Sequence, residues 1–384
     1  MTRSISIFGA TGSIGASTLD LVGRQPEEWR VEALTANCQA AELARLARQH
    51  GARIAVVADE GCLPELRGHL AGSGIEAAGG AQALVDAAAR GADLTVAAIV
   101  GCAGLAPTMA AIRAGKTVAL ANKEALVSAG EVMTAAVRRH GATLLPVDSE
   151  HNAIFQCLAG NDIADVAVIT LTASGGPLRD WPLERLRGAT AAEAVAHPNW
   201  SMGAKISVDS ATMFNKGLEF IEAFHLFPVG HERLRIVVHP QSVIHSMVEY
   251  RDGSTLAQLG PADMRVPIAS TLAWPRRMDT PCKPLDLPAI GQLTFFAPDE
   301  DRFPATRLAR EAVVAGGGAA AVLNAANEVA VAAFLSGQIA FTRIAQIVAQ
   351  VLETYSPAPP MTLDEVLAVD GEARRRATTM LRPA

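Results

Sequence analysis

Directly after a first apolar run, Ser4 to Phe8, the chain reads Gly9-Ala10-Thr11-Gly12-Ser13-Ile14-Gly15 and then turns helical. A glycine turn between a strand and a helix lets backbone N–H groups approach a pyrophosphate at the positive helix end, so this loop predicts dinucleotide binding. A tight strand-to-helix turn also needs glycine, and the placement at the first strand is what favours the cofactor. Short β-branched runs then alternate with Ala/Leu-rich stretches. Strands are predicted over Ser4–Phe8, Val31–Thr35, Ile54–Val57, Leu94–Val100, Thr117–Leu120 and Thr143–Val147. That alternation implies a parallel sheet with crossover helices, an α/β fold.

The 384 residues exceed what one hydrophobic core usually serves, which predicts two or three domains. From about Glu150 to Trp274 a second α/β segment carries the polar motifs, with a hairpin predicted at Ile244–Tyr250, a turn at Arg251-Asp252-Gly253-Ser254, and Thr255–Leu259. That hairpin could offer an edge for dimerisation. Residues 275–304 are proline-rich and aperiodic, as a linker would be. Helices are predicted at about 305–316, 319–336, 342–355 and 362–381, the last opened by a capping box, Thr362-Leu363-Asp364-Glu365. The expected organisation is therefore a Rossmann-like cofactor domain over 1–149, a catalytic and dimerisation domain over 150–274, a linker over 275–304 and a helical domain over 305–384.

A net charge of -6, with no basic cluster, gives no electrostatic footprint for nucleic acid. The apolar stretches Leu94–Ile112 and Ala312–Leu335 are interrupted by glycine, proline, asparagine and glutamate, so they read as buried elements and no membrane association is expected. The chain starts straight into a strand, so no targeting peptide is expected. The five cysteines lack metal-site spacing, which predicts neither zinc nor disulfides and points to a reducing cytoplasm.

Between residues 146 and 219 the chain carries PVDSEHNAIFQ and HPNWSMGAKISVDSATMFNKGLE. Asp148 and Glu150, two apart after an apolar run, would leave one face of extended backbone. Asn215, Lys216 and Glu219 fall within one helical turn. Three carboxylates brought together would repel unless a cation compensated, and hard oxygen ligands suit Mg²⁺ or Mn²⁺. The alternative is that Asp148 and Glu150 solvate a strand end and cap the next helix, while Glu219 pairs with Lys216 on a wet surface. Of 33 Lys plus Arg only five are lysine (Lys116, Lys123, Lys205, Lys216, Lys283), and four lie in or near these segments, where a compact point charge differs from a guanidinium.

GATGSIG, LANKE (Leu120–Glu124), PVDSEHNAIFQ, SGGP (Ser174–Pro177), HPNWSMG, SVDSATMFNKGLE and HPQSVIHSM, in this order, resemble the 1-deoxy-D-xylulose 5-phosphate reductoisomerase family from the first strand to the helical C-terminus. The resemblance implies an NADPH-binding domain, a catalytic domain and a C-terminal helical domain in a homodimer. It also implies a phosphosugar substrate that is rearranged and reduced to 2-C-methyl-D-erythritol 4-phosphate, in isoprenoid precursor synthesis.

By that resemblance Asp148, Glu150 and Glu219 would hold Mg²⁺ or Mn²⁺. Ser174, Ser210, Asn215 and Lys216 would bind the substrate phosphate with His197 close by, and Lys123 and Ser149 would contact substrate oxygens at the metal. The family reading counts Lys123, Asp148, Glu150, Glu219 and His197 as catalytic. Gly9, Thr11, Gly12, Ser13, Ile14, Gly15, Ala36, Asn37, Asn122, Lys123, Glu124, Met202 and Gly203 would contact NADPH. The HPNWSMG segment would be a lid, with Trp200 over the substrate and Met202 toward the nicotinamide; by composition alone both residues read as packing.

Where the second strand ends, Thr35-Ala36-Asn37-Cys38 has no acid for a free ribose 2′-hydroxyl, which counts against NAD, and no basic residue for a 2′-phosphate. His239 and His245 flank an apolar strand and read as satisfied core histidines, His245 with a possible site role; His151, His225 and His231 read as structural or surface. The competing readings are a metal-independent NAD(P)-dependent aldehyde or hydroxyacid reductase and a catalytically silent NADP-sensing protein on the same fold. The carboxylate trio argues against the first, and the presence of every motif residue against the second.

Overall fold

A computed structural model describes residues 2–200 and 202–381. Two compact units emerge. The first comprises Met1–Ala125, Met133–Asn152 and Met264–Cys282, and the second Leu126–Val132, Ala153–Asp263 and Lys283–Ala384.

The first unit is built on seven strands: β1 (Arg3–Phe8), β2 (Trp29–Ala36), β3 (Ile54–Val57), β4 (Glu76–Gly79), β5 (Leu94–Ala97), β6 (Thr117–Leu120) and β7 (Thr143–Pro146). They pair in parallel in the order β4-β3-β2-β1-β5-β6-β7. The order reverses between β1 and β5, and in such sheets the crevice beyond that reversal receives the ligand. Ile5, Ile7, Leu34, Val57, Leu94 and Val96 are buried in one core, as strands covered on both faces require. Asp93 ties β1 to the start of β5, accepting from Ser4 N at 2.9 Å and Ser4 Oγ at 2.8 Å. The later segment joins this unit through Arg3 Nη1 to Leu272 O at 2.7 Å and Arg265 to Asp20 at 3.2 Å.

Two details depart from the predicted strands. β4 was not expected: Glu76-Ala77-Ala78-Gly79 has no β-branched residue, and the strand exists because the edge of β3 offers it a ladder. The strand predicted to Val100 ends at Ala97, because the chain passes over the glycine turn and bends at Gly101 (φ +72).

The second unit holds a four-stranded sheet of β8 (Val166–Ala173), β9 (Leu234–Val238), β10 (Ile244–Tyr250) and β11 (Thr255–Leu259), ordered β11-β10-β8-β9. The predicted hairpin is β10 and β11, antiparallel, turning through Asp252 and Gly253 (φ +86). Helices Ala305–Ala315, Ala319–Leu335, Phe341–Thr354 and Leu363–Met380 follow, as their apolar periodicity predicts. The last is capped by Thr362, whose side chain accepts from Glu365 N; Glu365 in turn accepts from Met361 N at 2.6 Å, one residue before the position a capping box uses. Residues 275–304 carry only a four-residue helix, Leu287–Ile290, and one bridge, Val238 to Phe296. Among the described residues no helix is long and apolar enough to cross a membrane.

In the second unit His225 lies against Gly130 and edge-on to Phe224, ring centroids 5.2 Å apart. Burial pushes its imidazole down to about 4 from 6.5. The folded chain resists a proton that the unfolded chain accepts, so the contribution is whole above pH 6.5 and is lost as pH falls towards 4. That linkage amounts to at most about 3 kcal/mol. Urea unfolding of His225→Asn and the parent between these pH values should show a shallower loss in the variant; parallel curves would contradict the linkage.

Candidate active site

The glycine loop is tight enough to require each terminal glycine. Gly9 has φ +90, and a Cβ there would meet Ala98 O at 2.6 Å; one on Gly15 would meet Gly9 O at 2.4 Å and Ala10 Cα at 2.5 Å. Gly9 N donates to Thr35 Oγ1 at 3.0 Å and Ala10 N to Thr35 O at 2.7 Å, so the end of β2 supports the loop. The Ser13–Gly23 helix starts at Gly12 with no side-chain cap, so its first N–H groups, which have no intrahelical partners, remain for an anion. Thr11 and Ile14 lie in the same turn, half-buried. Ala36 is buried at the end of β2, and Asn37 follows it into solvent.

The LANKE segment leaves β6, the sixth strand in the chain, whereas the sequence predicted it after the fifth; β4 accounts for the difference. Asn122 caps the Lys123–His140 helix, accepting from Ala125 N at 3.1 Å and donating to Gly101 O at 2.9 Å. Lys123 and Glu124 are buried beside it. β6 and β7 are neighbours in register, Leu120 opposite Pro146, so Lys123 and Asp148 emerge side by side. Lys123 Nζ donates to Asp148 Oδ2 at 2.7 Å, with side chains 8% and 10% exposed.

The extended geometry predicted for Asp148 and Glu150 is not what forms. Ser149–Leu158 is helical, and Asp148 caps it: Oδ1 accepts from Glu150 N at 3.1 Å and from His151 N at 3.4 Å. An Asp after a strand satisfies orphan helix N–H groups better than it continues a strand. Ser149 Oγ donates to Glu150 Oε2 at 2.6 Å. His151, read from sequence as structural or surface, is fully buried with Nδ1 3.1 Å from Asp148 Oδ1, so the surface reading does not hold. Its position three residues after Asp148, the spacing of one helical turn, was the available signal. Every side-chain donor that Asp148, Ser149 and Glu150 offer a ligand is oxygen, the set that suits a hard divalent cation.

In the second unit, SGGP makes a turn in which Gly175 (φ +81) and Gly176 (φ +72) need left-handed backbone. A Cβ on Gly176 would meet Ser210 O at 2.6 Å, so the turn lies directly on the Ala204–Thr212 helix. Gly203, which caps that helix, is exposed, and Met202 before it is half-buried.

Ser174 Oγ is 2.8 Å from His197 Nε2 and accepts from Gly176 N at 3.1 Å. His197 Nδ1 accepts from Trp200 N at 2.9 Å and Asn199 N at 3.2 Å. Burial lowers the pKa of His197, so the ring is neutral at pH 7. With Nδ1 accepting, its proton sits on Nε2 and is donated to Ser174, which leaves the serine hydroxyl hydrogen to point outward.

Trp200 meets His245 edge-on, centroids 6.0 Å apart, and Asn199 Nδ2 donates to Pro240 O at 2.7 Å. Ser201 of the HPNWSMG segment lies outside the described residues. His239 is the satisfied core histidine expected, with Nδ1 3.0 Å from Thr294 O, Nε2 accepting from Val243 N at 3.2 Å and its ring stacked on Phe295.

A left-handed Met213 (φ +67) turns the Ala204–Thr212 helix into Phe214–Leu226. Asn215 Nδ2 donates to Glu219 Oε1 at 2.5 Å, and Lys216 Nζ donates to Glu219 Oε2. Lys216 and Glu219 are buried, 4% and 1% exposed, so the wet-surface alternative for this pair does not hold. Behind them Asp209, also buried, takes Lys205 Nζ at 2.8 Å and Asn327 Nδ2 at 2.8 Å. This anchor was not read from sequence; Lys205 and Asp209 at i,i+4 were its only local trace.

Three segments match family profiles: residues 5–130 that of 1-deoxy-D-xylulose 5-phosphate reductoisomerase, 144–227 that of its C-terminal domain, and 259–376 that of the DXP reductoisomerase C-terminal domain. The 1-deoxy-D-xylulose 5-phosphate reductoisomerase of Zymomonas mobilis subsp. mobilis is 58% identical over 379 residues, 99% of this chain and 98% of the relative. That of Cereibacter sphaeroides (strain ATCC 17025 / ATH 2.4.3) is 54% identical over 98% of this chain and 97% of its own. A solved structure of the Zymomonas mobilis enzyme in complex with NADPH superposes with a TM-score of 0.95 at 56% identity, covering 100% of both chains. A DOX-P reductoisomerase in complex with NADPH, fosmidomycin and magnesium superposes with 0.93 at 43% identity, covering 99% of this chain and 98% of that one. With relatives this similar along its whole length, the chain belongs to the 1-deoxy-D-xylulose 5-phosphate reductoisomerase family.

Proposed function

We propose that this chain is an NADPH- and divalent-metal-dependent reductoisomerase that converts 1-deoxy-D-xylulose 5-phosphate to 2-C-methyl-D-erythritol 4-phosphate. Family membership over the full chain carries the reading. The residues present suit both absent groups: a tight loop in which a Cβ at Gly9 or Gly15 would meet backbone at 2.6 Å or less, and oxygen donors from Asp148, Glu150 and Glu219 for Mg²⁺ or Mn²⁺. Neither competing reading, a metal-independent reductase or a silent sensor, is favoured by that membership.

When bound, the cation polarises the substrate carbonyl and the nicotinamide supplies hydride. The chain's own residues do the positioning. Ser174, Ser210, Asn215 and Lys216 hold the phosphate, with Ser174 directing its hydroxyl hydrogen outward under the control of His197. Contacts remote from the reacting carbons keep the fragments in place during rearrangement. Lys123 and Ser149 contact the substrate oxygens; Lys123 keeps its Nζ protons oriented by donating one to Asp148. Trp200 closes over the carbon chain and excludes water, with Met202 and Gly203 on the cofactor side.

Gly9, Thr11, Gly12, Ser13, Ile14 and Gly15 receive the pyrophosphate, Ala36 and Asn37 the adenosine ribose, and Asn122, Lys123 and Glu124 the nicotinamide half. In this reading residues 1–149 bind the cofactor, 150–274 carry catalysis and dimerisation, 275–304 link, and 305–384 form the helical domain. A homodimer fits the exposed edge strand β11, where Leu256 and Leu259 are 43% and 37% exposed. A cytoplasmic setting fits five free thiols.

Glu150→Gln should leave NADPH affinity near that of the parent while lowering kcat steeply, since the cation acts mainly on the transition state. Turnover by either protein that survives chelation would remove the metal from the mechanism. Lys216→Gln should raise KM for the phosphosugar roughly ten- to a hundredfold, the equivalent of a charge-assisted contact of about 1.5 to 3 kcal/mol. An unchanged KM would locate the phosphate elsewhere. With no acid at Ala36-Asn37-Cys38, kcat/KM should favour NADPH over NADH, and parity between the two would refute that preference.

A further inference from the structure

The SGGP turn that carries Ser174 is costly to hold. Gly175 and Gly176 both take left-handed backbone, and glycine loses more conformational freedom on folding than any other residue, so the turn needs support from outside itself. Arg179 supplies it. Its stem lies against Gly175, where a Cβ would meet Arg179 Cδ at 2.7 Å and Cγ at 3.0 Å. Its Nη1 donates to Ser174 O at 2.9 Å. That carbonyl belongs to the planar peptide joining Ser174 to Gly175, so one bond orients the first peptide of the turn. Asp180 engages the rest of the guanidinium, accepting from Nε at 3.2 Å and from Nη2 at 2.9 Å. The same fork holds the exposed Asp180 carboxyl below its ordinary pKa, so it is ionised at neutral pH.

A second arginine holds the first. Arg302, near the end of the segment read from sequence as a linker, donates from Nη1 to Arg179 O at 2.9 Å and to Trp181 O at 2.7 Å, while Asp299 takes its Nε at 2.7 Å. The segment is pinned to β9 in turn, Phe296 and Val238 exchanging backbone bonds at 2.8 and 2.9 Å. Guanidinium N–H groups diverge in one plane and can meet a carbonyl and a carboxylate together, whereas an ammonium is a point charge.

We propose that Arg179 is a positioning residue for the substrate phosphate, acting through the Ser174 carbonyl to keep the serine hydroxyl aimed at the phosphate, and that Arg302 keeps Arg179 in place. The inference rests on the assignment of the phosphate to Ser174. Freed of Arg179, the peptide between Ser174 and Gly175 can rotate, and the bond from Gly176 N to Ser174 Oγ at 3.1 Å is lost with it. The hydroxyl is then no longer fixed between His197 and the ligand. An arginine acting as a charge would attract phosphate with or without Ser174. Acting through Ser174, it matters only while the serine is there.

Steady-state kinetics of the full chain with 1-deoxy-D-xylulose 5-phosphate, NADPH and Mg²⁺ separate these roles. Arg179→Gln should raise KM for the phosphosugar roughly three- to tenfold, the effect of one oriented hydrogen bond, and leave kcat and KM for NADPH within about twofold. A fall in kcat together with a raised KM for NADPH would mark a structural residue and overturn the proposal. Ser174→Ala should raise the phosphosugar KM by at least as much, and in that background Arg179→Gln should add nothing further. Equal increments in both backgrounds would overturn the positioning role. For Asp180→Ala the two roles predict opposite signs: loss of a negative charge alone would lower KM, whereas loss of the group that sets the Arg179 fork should raise it. A KM at or below the parent's would overturn the arrangement. Arg302→Gln should raise KM by a smaller factor, and an increment that persists alongside Arg179→Gln would remove Arg302 from the relay. An unchanged KM in Ser174→Ala would overturn the phosphate assignment and the inference with it, whereas a raised KM there with no effect of Arg179→Gln overturns the inference alone.

Discussion

A carboxylate 1% exposed inside a helix needs a cation beside it, and in the second unit Glu219 has Lys216 one turn away. Taking one member of a buried pair away costs about 3 to 5 kcal/mol, because the other charge is stranded. The Phe214–Leu226 helix, whose i,i+4 and i,i+3 spacing brings Asn215 and Lys216 to Glu219, therefore has to persist. It is held from behind by Asp209, itself compensated by Lys205 and tied to Asn327 on the Ala319–Leu335 helix. Charge compensation thus couples the Phe214–Leu226 helix to the helical core that supports it.

The first unit solves the same problem with different elements. Asp148 is compensated by Lys123 and spends its other oxygen on the first turn of Ser149–Leu158. Capping and compensation together fix the carboxylate's position without consuming a flexible loop. Lysine suits both roles better than arginine: an ammonium is a compact charge that a divalent cation can displace, whereas a bidentate guanidinium would hold the carboxylate in a fork. Two of the five lysines, Lys123 and Lys216, stand at these two carboxylates.

Much of this was legible in the residues. The β10–β11 hairpin announced itself through Asp252-Gly253 between alternating apolar runs, and the C-terminal helices through sustained periodicity over ten or more residues. Lys216 with Glu219 is a local pair that spacing alone suggests. Lys123 and Asp148 are 25 residues apart, and only the β6–β7 register joins them. β4 was invisible because its residues have no strand preference of their own. The extended backbone assigned to Asp148 and Glu150 failed because strand reasoning was carried across a helix cap, an error that the Asp-Ser-Glu sequence, rich in capping residues, could have warned against, yet the helix start still brings oxygens of the two carboxylates within 4.8 Å of one another.

The two anion sites proposed for this chain rest on one device used in two ways. Both are glycine turns whose backbone lies against a helix: Gly15 against Gly9 and Ala10, and Gly176 against Ser210 and Ala211. The cofactor loop, Gly9 to Gly15, contains no basic side chain, so a pyrophosphate there would be held by N–H groups and the helix end alone. The phosphate site adds Lys216 and a serine whose hydrogen is aimed by a neutral His197. A small substrate has few atoms with which to hold itself through a rearrangement, whereas a dinucleotide can spread its binding along the sheet edge. In the proposed arrangement charge is therefore concentrated where the ligand is smallest, with Lys216 at the phosphate and no basic side chain in the cofactor loop.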